Sequence, residues 1–309
     1  MFIIYFFIAI LLIFISVLLY IYNLAFYNPP SKRIKKHFRA RGEQYDAVRE
    51  KLDATTKTVS EAEFQPVEII AQDGVKLRGK YYHYADGAPM DIIFHGYRSR
   101  ANHDCGGGYL LARDLGHNVI LPDQRAHGES GSNTITFGIK ERYDCLEWIK
   151  FACTMQPDVK IVISGVSMGA ATVLMASELD LPENVKGIIA DCAFSSPIEI
   201  ILMESEKMGI PKQLAKPFIK LSARLMGGFN VEEASAREAV KNAKVPILLV
   251  HGEDDKFVPC RMSYDIYENC TGDKKLITFE GAGHGLSFLV DAERYKKEIN
   301  EFKNRVNNN

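Results

Sequence analysis

Gly165-Val166-Ser167-Met168-Gly169 is the stretch of sequence that decides the fold. An apolar run, residues 159–164, precedes it, and a segment rich in helix-forming residues, 170–179, follows it. A G-x-S-x-G pentapeptide between a buried strand and a helix is typical of a nucleophile elbow, in which the serine occupies a tight, strained turn. Glycine is required on both sides because a Cβ there would collide with the neighbouring strand and helix. We therefore predict that Ser167 presents its hydroxyl above the edge of a sheet.

Strand-like and helix-like segments alternate on both sides of this pentapeptide. Residues 67–71 and 75–84 predict a hairpin around Gln72-Asp73-Gly74. Further strand-like runs separated by helical segments occupy residues 91–96, 118–122, 159–164, 185–190, 245–250 and 275–279. Such alternation predicts an α/β fold with a mostly parallel, doubly wound sheet.

Residues 195–244 interrupt this alternation. The segment contains no strand-like run and carries apolar residues at roughly helical spacing. We interpret it as a helical lid, because it is inserted between two strands at the edge of the sheet that bears the serine. The alternative is that these helices simply face the core.

The first 28 residues contain no charged side chain, and residues 2–22 are almost entirely apolar. A helix of that length spans about 31 Å, close to the hydrocarbon core of a bilayer. We predict one N-terminal transmembrane helix. A signal peptide is the alternative, but the sequence has no basic n-region and no cleavage site of small residues.

A basic cluster follows Pro29-Pro30. By the positive-inside rule it predicts a single-pass protein of the cell membrane, with its catalytic domain on the cytoplasmic side. The alternative is a solvated basic linker without topological meaning. We divide the chain into an anchor (1–28), a basic juxtamembrane linker and exposed helix without a site (29–60), and a catalytic domain (61–309). The cluster consists of Lys32, Arg33, Lys35, Lys36, Arg39 and Arg41.

The composition excludes several classes of function. The formal net charge is −1, so nothing indicates a nucleic-acid-binding surface. The six cysteines are scattered without a C-x-x-C pair, which argues against a structural zinc site. We expect the chemistry to need neither a metal nor an organic cofactor.

A serine hydroxyl needs a base to take its proton and a third group to hold that base. His284 is the candidate base, because its glycine-rich loop follows the last strand and can reach back over the elbow. The acid is expected between serine and histidine in chain order. The residues themselves leave four carboxylates open: Asp255, Asp254, Glu253 and Asp191.

The oxyanion formed during acyl transfer needs two backbone N–H donors. One is expected from Met168, the residue after the nucleophile. The second is expected from the loop after His95-Gly96, which makes Tyr97 the candidate.

Five motifs follow one another along the chain: His95-Gly96, Asp123-x-Arg125-x-His127-Gly128-x-Ser130, Gly165-x-Ser167-x-Gly169, His251-Gly252-x-x-Asp255-x-x-Val258-Pro259 and Gly283-His284. Together, in this order, they resemble the α/β-hydrolase superfamily. The chain is most similar to its bacterial, membrane-anchored, esterase-like members of the serine aminopeptidase (lipase-like) group. The resemblance covers about residues 64–305 and implies Ser167, Asp255 and His284 as the catalytic residues. It departs at Ala126, where the family more often has glycine.

The resemblance implies the same backbone donors, Tyr97 and Met168, and a bracing role for Arg125 and His127. We predict a membrane-anchored serine hydrolase that cleaves a carboxylic ester with an apolar acyl group, lipid-derived esters included. A thioesterase or peptidase using the same residues is the first alternative. A non-catalytic binding member of the fold is the second.

Overall fold

The computed structural model describes residues 1–35 and 42–308, and its centre is an eight-stranded sheet. The strands are β1 (Gln65–Ile70), β2 (Lys76–Tyr82), β3 (Met90–Phe94), β4 (Asn118–Pro122), β5 (Ile161–Val166), β6 (Val185–Asp191), β7 (Ile247–Gly252) and β8 (Lys274–Phe279). Their spatial order is β1-β2-β4-β3-β5-β6-β7-β8. Strand β2 is antiparallel to both of its neighbours, and all other pairs are parallel. The mostly parallel sheet is therefore confirmed.

Helices precede, connect and follow these strands. In chain order they are α1 (Phe2–Ile21), α2 (Pro30–Lys35), α3 (Glu43–Ala47), α4 (Arg49–Glu61), α5 (Ala101–Asp104), α6 (Gly106–Asp114), α7 (Glu141–Met155), α8 (Met168–Ala176), α9 (Pro197–Lys207), α10 (Lys212–Leu225), α11 (Ala236–Ala239), α12 (Arg261–Asn269), α13 (Ser287–Val290) and α14 (Ala292–Asn307).

The central strands are buried on both faces because helices cover the sheet on both sides. Ile161 and Ile163 belong to the larger apolar cluster, which includes residues of α7, α8 and α12. Val162, the residue between them, belongs to a second cluster with residues of α6 and α14. This alternation follows from the two-residue period of a strand, and it explains why these strands read as continuous apolar runs.

The segment 195–244 is helical, as predicted, and the structure places α9, α10 and α11 in it without a strand. Residues of α9 and α10 line a cavity above the sheet edge together with Ser167. The position suits a lid, and movement of these helices stays a prediction.

Helix α1 continues into a π-helical turn, Tyr22–Phe26, and this turn ends three residues before Pro29. By length and composition, Phe2–Phe26 could cross a membrane, and most of its side chains are exposed. Pro30 begins α2, where a proline at the first helical position costs no hydrogen bond. Lys36, Arg39 and Arg41 of the predicted basic cluster lie outside the described residues.

The expectation that residues 42–60 form an exposed helix without a site is wrong. Two helices, α3 and α4, occupy this segment, and Leu52 and Val59 are buried. The Tyr45 hydroxyl donates to the carbonyl oxygen of His284 at 3.1 Å. Leu52 and Val59 lie seven positions apart in α4, so they share one face of that helix, and this face packs on the domain.

Candidate active site

The elbow has the geometry that its sequence predicts. Strand β5 ends at Val166, α8 begins at Met168, and Ser167 between them has φ 56° and ψ −115°. A Cβ on Gly165 would lie 2.3 Å from the carbonyl carbon of Gly169, and one on Gly169 would lie 2.1 Å from the carbonyl oxygen of Phe94. Both glycines are therefore required by close backbone approach.

Three of the predicted side chains form one hydrogen-bonded series. The Nε2 atom of His284 lies 2.9 Å from Ser167 Oγ, and its Nδ1 atom lies 2.6 Å from Asp255 Oδ2. His284 comes from the loop between β8 and α13, and Asp255 from the loop after β7. Because β5, β7 and β8 run parallel, their carboxyl ends bring these loops to one edge of the sheet.

The other three candidate acids do not contact the histidine among the described residues. Asp254 is exposed, and Glu253 accepts a hydrogen bond from the Thr278 hydroxyl at 2.6 Å. Asp191 is buried, and its Oδ2 accepts from the Tyr295 hydroxyl at 3.0 Å. Burial raises the pKa of Asp191 to about 6, because the ionised carboxylate is desolvated. The geometry therefore selects Asp255 as the partner of His284.

Asp255 is fixed and ionised in this position. Its Oδ1 accepts the backbone N–H groups of Phe257 and Val258, each at 2.8 Å. Burial opposes the charge, but hydrogen bonds from His251 and His284 outweigh it and hold the pKa of Asp255 well below its ordinary value. The carboxylate therefore orients the His284 ring by accepting from Nδ1, which leaves Nε2 facing the serine.

The two predicted oxyanion donors keep their backbone N–H groups without an acceptor among the described residues. On either side of Tyr97, the Gly96 N–H donates to Asp104 Oδ2 and the Arg98 N–H donates to His127 Nε2, both at 2.8 Å. Of these three amides, the described residues leave that of Tyr97 free to bind a ligand. Met168 is the first residue of α8, where an N–H has no intrahelical acceptor.

Arg125 and His127 stabilise the loop of Tyr97 and Arg98, in agreement with the role that the resemblance implies. The buried Arg125 guanidinium pairs with Asp144 at 2.6 Å and with Asp73 at 2.8 Å. The His127 ring bonds to both arginine backbones: its Nε2 accepts from the Arg98 N–H, and its Nδ1 donates to the Arg125 carbonyl at 2.9 Å. Ala126 has φ 61°, a left-handed conformation that explains the family's preference for glycine there.

Cys192, Asp255 and His284 place one ligand atom each within 4.8 Å of one another. Burial raises the pKa of the Cys192 thiol well above its ordinary value. A neutral thiol is a poor metal ligand, because the thiolate is the form that binds metals. The Asp255 and His284 atoms are already joined by their hydrogen bond, so this group does not favour a metal site.

Two contributions to the site were not predicted from the sequence. Helix α3 holds the His284 loop through Tyr45, and the Gln44 amide donates to the Asp254 carbonyl at 3.2 Å. The end of the N-terminal helix reaches the loop after β3 that carries the predicted oxyanion donor Tyr97 (residues 95–100, called the oxyanion loop below). There the Tyr97 hydroxyl donates to the Ala25 carbonyl at 2.8 Å. Neither contact leaves a local pattern, because the partners lie far apart in the chain.

Comparison with known families agrees with this fold and this arrangement. The alpha/beta hydrolase fold family matches residues 92–211, and the serine hydrolase (FSH1) family matches residues 156–286. Together these matches contain the elbow and the loops of Asp255 and His284. The chain therefore belongs to the α/β-hydrolase superfamily and is an esterase-like hydrolase.

Individual proteins are similar at the level of fold and sequence. The uncharacterized protein YqkD of Bacillus subtilis is 28% identical over 238 residues, covering 76% of this chain and 77% of that protein. The uncharacterized protein YfhR of Escherichia coli K12 is 24% identical over 229 residues, or 71% and 73% of the two chains. The solved structure of the Pyrococcus furiosus esterase Pf2001 matches with a TM-score of 0.65 and 26% identity, covering 81% of this chain and 93% of that one.

Proposed function

We propose that this protein hydrolyses a carboxylic ester through an acyl-enzyme on Ser167. The observation that carries the proposal is the hydrogen-bonded series from Ser167 through His284 to Asp255. Next to it are two backbone amides that have no acceptor among the described residues. Nucleophile, base, orienting acid and oxyanion donors are the parts that acyl transfer requires. The similarity to an enzyme described as an esterase supports the same reaction.

In the first half of the reaction, Ser167 Oγ attacks the ester carbonyl while His284 Nε2 takes the hydroxyl proton. The imidazolium that forms is stabilised by Asp255, which accepts from Nδ1. The negative oxygen of the tetrahedral intermediate accepts from the amides of Tyr97 and Met168. His284 then returns the proton to the alcohol oxygen, which leaves as the C–O bond breaks.

In the second half, a water molecule attacks the acyl-enzyme. His284 takes a proton from the water, and the same two amides bind the oxyanion again. As the intermediate collapses, the bond from the acyl carbon to Ser167 Oγ breaks, His284 returns the proton to Oγ, and the carboxylic acid is released. His284 is the proton acceptor or the proton donor in every transfer of the cycle, so no second general base is needed.

The lining of the cavity favours an apolar acyl group. Most side chains that α9 and α10 contribute to the lining are aliphatic or aromatic, and the polar ones are Glu204 and Ser205. The apolar ones include Ile201, Leu214, Phe218 and Ile219. Apolar surface gains free energy when it is removed from water, by about 0.8 kcal/mol for each buried CH₂ group. We therefore expect longer acyl chains to react faster, up to the length that the cavity accepts.

The test compares wild type with Ser167→Ala, using the full-length protein in detergent. A fluorophosphonate probe should label the wild type and leave the variant unlabelled. Matched p-nitrophenyl esters, acyl thioesters and peptide anilides then separate ester hydrolysis from the thioesterase and peptidase alternatives. A folded wild type that neither reacts with the probe nor hydrolyses any of these substrates would favour the non-catalytic binding member.

We further propose that residues 2–26 anchor the protein in the cell membrane, with the hydrolase domain in the cytoplasm. The apolar length of the helix and the basic residues after it support this orientation. In cells whose outer surface is made accessible to protease, a C-terminal epitope should remain protected until the cell membrane is permeabilised. Digestion of the epitope in unpermeabilised cells would contradict the orientation.

A further inference from the structure

One large cavity lies over the elbow, and the end of the N-terminal helix forms part of its wall. The cavity has a volume of about 1640 Å³, which exceeds the range of roughly 300–1,000 Å³ found for most small-molecule sites. Ser167 and His284 line it, as do α9 and α10. The residues that the N-terminal helix and its π-helical turn contribute are Val17, Tyr20, Ile21, Asn23, Leu24 and Ala25.

The end of the helix is bound firmly to the domain. The Tyr97 hydroxyl donates to the carbonyl of Ala25 at 2.8 Å, and the Arg98 guanidinium donates to that of Leu24 at 2.9 Å. Carbonyls at a helix C-terminus have no intrahelical donor, so these side chains satisfy them. Because Tyr97 and Arg98 belong to the oxyanion loop, the helix end is attached directly to the reacting part of the site.

Aromatic packing holds the same region from the other side. Phe26 is fully buried, with its ring centroid 5.3 Å from that of Phe229 and 5.9 Å from that of Phe137. The Tyr22 hydroxyl lies 2.7 Å from the Thr134 hydroxyl. The turn 22–26 is therefore part of the hydrolase domain, although it continues an apolar helix.

Helix α10 connects the cavity with the apolar part of α1. The rings of Phe14 and Phe218 lie 5.9 Å apart, and the Ser222 hydroxyl donates to the Leu18 carbonyl at 2.8 Å. Phe14 lies 12 residues before Phe26, about 18 Å along a helix. Because α10 packs against Phe14 and Leu18, inside the apolar stretch Phe2–Phe26, a membrane that holds this stretch also reaches α10. Leu214 of this helix lines the cavity and is 63% exposed, so the apolar lining continues to the outside there.

We propose that this cavity is an acyl-chain channel that the N-terminal helix completes and that opens toward the bilayer. Its substrate is a long-chain acyl ester that enters from the membrane, with the chain between Leu24 and Leu214 and the ester at Ser167. This inference rests on the proposed ester hydrolysis for its chemistry. It assigns the N-terminal helix a part in binding substrate in addition to anchoring.

In the test, a tryptophan substitution narrows the channel from one wall or the other. The full-length protein is reconstituted in detergent micelles. Leu24→Trp and Leu214→Trp should lower the ratio of kcat/KM for p-nitrophenyl dodecanoate to kcat/KM for the butyrate by at least about tenfold. Leu19 and Leu225 provide matched controls, since they lie on the same two helices and do not line the cavity. Their exposed fractions, 48% and 60%, are close to the 44% of Leu24 and the 63% of Leu214. Leu19→Trp and Leu225→Trp should leave the ratio within about twofold.

A binding measurement separates the channel from the reaction. In the Ser167→Ala background, a fluorescent long-chain fatty acid should bind, and Leu24→Trp and Leu214→Trp should each raise its Kd at least about tenfold. An unchanged ratio and an unchanged Kd in both channel variants would overturn the channel. A wild type without Ser167-dependent turnover, but with fatty-acid binding that Leu24→Trp weakens, would retain the channel and refute the proposed hydrolysis.

Discussion

Replacing Asp255 by asparagine should slow ester hydrolysis by about a thousandfold, whereas the same change at Asp254 should leave the rate nearly unchanged. The two carboxylates are neighbours in the chain, but only Asp255 contacts His284, at 2.6 Å. Asparagine keeps the size of the side chain and removes its charge. The pair of variants therefore tests the acid of the site with a control one residue away.

The magnitude follows from the charge that appears during the reaction. When His284 takes the serine proton, a positive imidazolium stands beside the buried carboxylate of Asp255. Two unit charges about 4 Å apart attract each other by about 4 kcal/mol at an effective dielectric constant near 20. Loss of that attraction in the transition state corresponds to about a thousandfold in rate. An amide NH₂ facing Nδ1 would also favour the wrong histidine tautomer, which adds to the loss.

The assay measures kcat for p-nitrophenyl butyrate at pH 8 together with the rate of fluorophosphonate labelling. Thermal unfolding confirms that each variant is folded, which is needed because Asp255 also accepts two backbone N–H groups. The reasoning is refuted if Asp254→Asn slows the reaction as much as Asp255→Asn does. It is equally refuted if folded Asp255→Asn retains more than about one tenth of the wild-type rate.

Two further predictions concern stability. Phe26→Ala should lower the free energy of unfolding by about 3–5 kcal/mol, because it empties a fully buried site between two aromatic rings; Phe2→Ala, at an 84% exposed site, should change it by less than about 0.5 kcal/mol. Denaturant titration in detergent measures both, and equal effects would mean that the helix end is not part of the core. For Asp191, whose pKa burial raises to about 6, the ionised carboxylate destabilises the folded state above that pH. Wild type should therefore gain about 2.4 kcal/mol of stability relative to Asp191→Asn as the pH falls from about 7 to about 4, and parallel stability–pH curves would contradict this.

The sequence alone predicted the sheet, the elbow and the general position of the base. These features leave local signals, because a strand buried on both faces must be apolar along its length and a strained turn beside close backbone requires glycine. The G-x-S-x-G pentapeptide and the glycine-rich loop of His284 can therefore be identified from the sequence without a structure. The helical character of residues 195–244 was equally clear from its spacing.

Only the tertiary structure separated Asp255 from its neighbours. Three adjacent residues of one loop, Glu253, Asp254 and Asp255, have the same chemistry in the sequence, and their directions depend on the backbone after β7. The N–H groups of Phe257 and Val258 donate to the Asp255 carboxylate and hold it pointing into the domain, while Asp254 is exposed. Sequence reasoning could choose between them only through family resemblance.

The part played by the N-terminal region was also decided by tertiary contacts. Composition marks residues 2–22 as an apolar helix, but it does not indicate that Leu18 accepts from Ser222, 204 positions away, or that Ala25 accepts from Tyr97. A helix that faces lipid and a helix end that packs in a core can have the same apolar composition. Hydrophobic periodicity describes each element separately and does not show which elements contact each other. Which distant surfaces meet is settled when the chain folds, and here the end of the N-terminal helix meets the oxyanion loop.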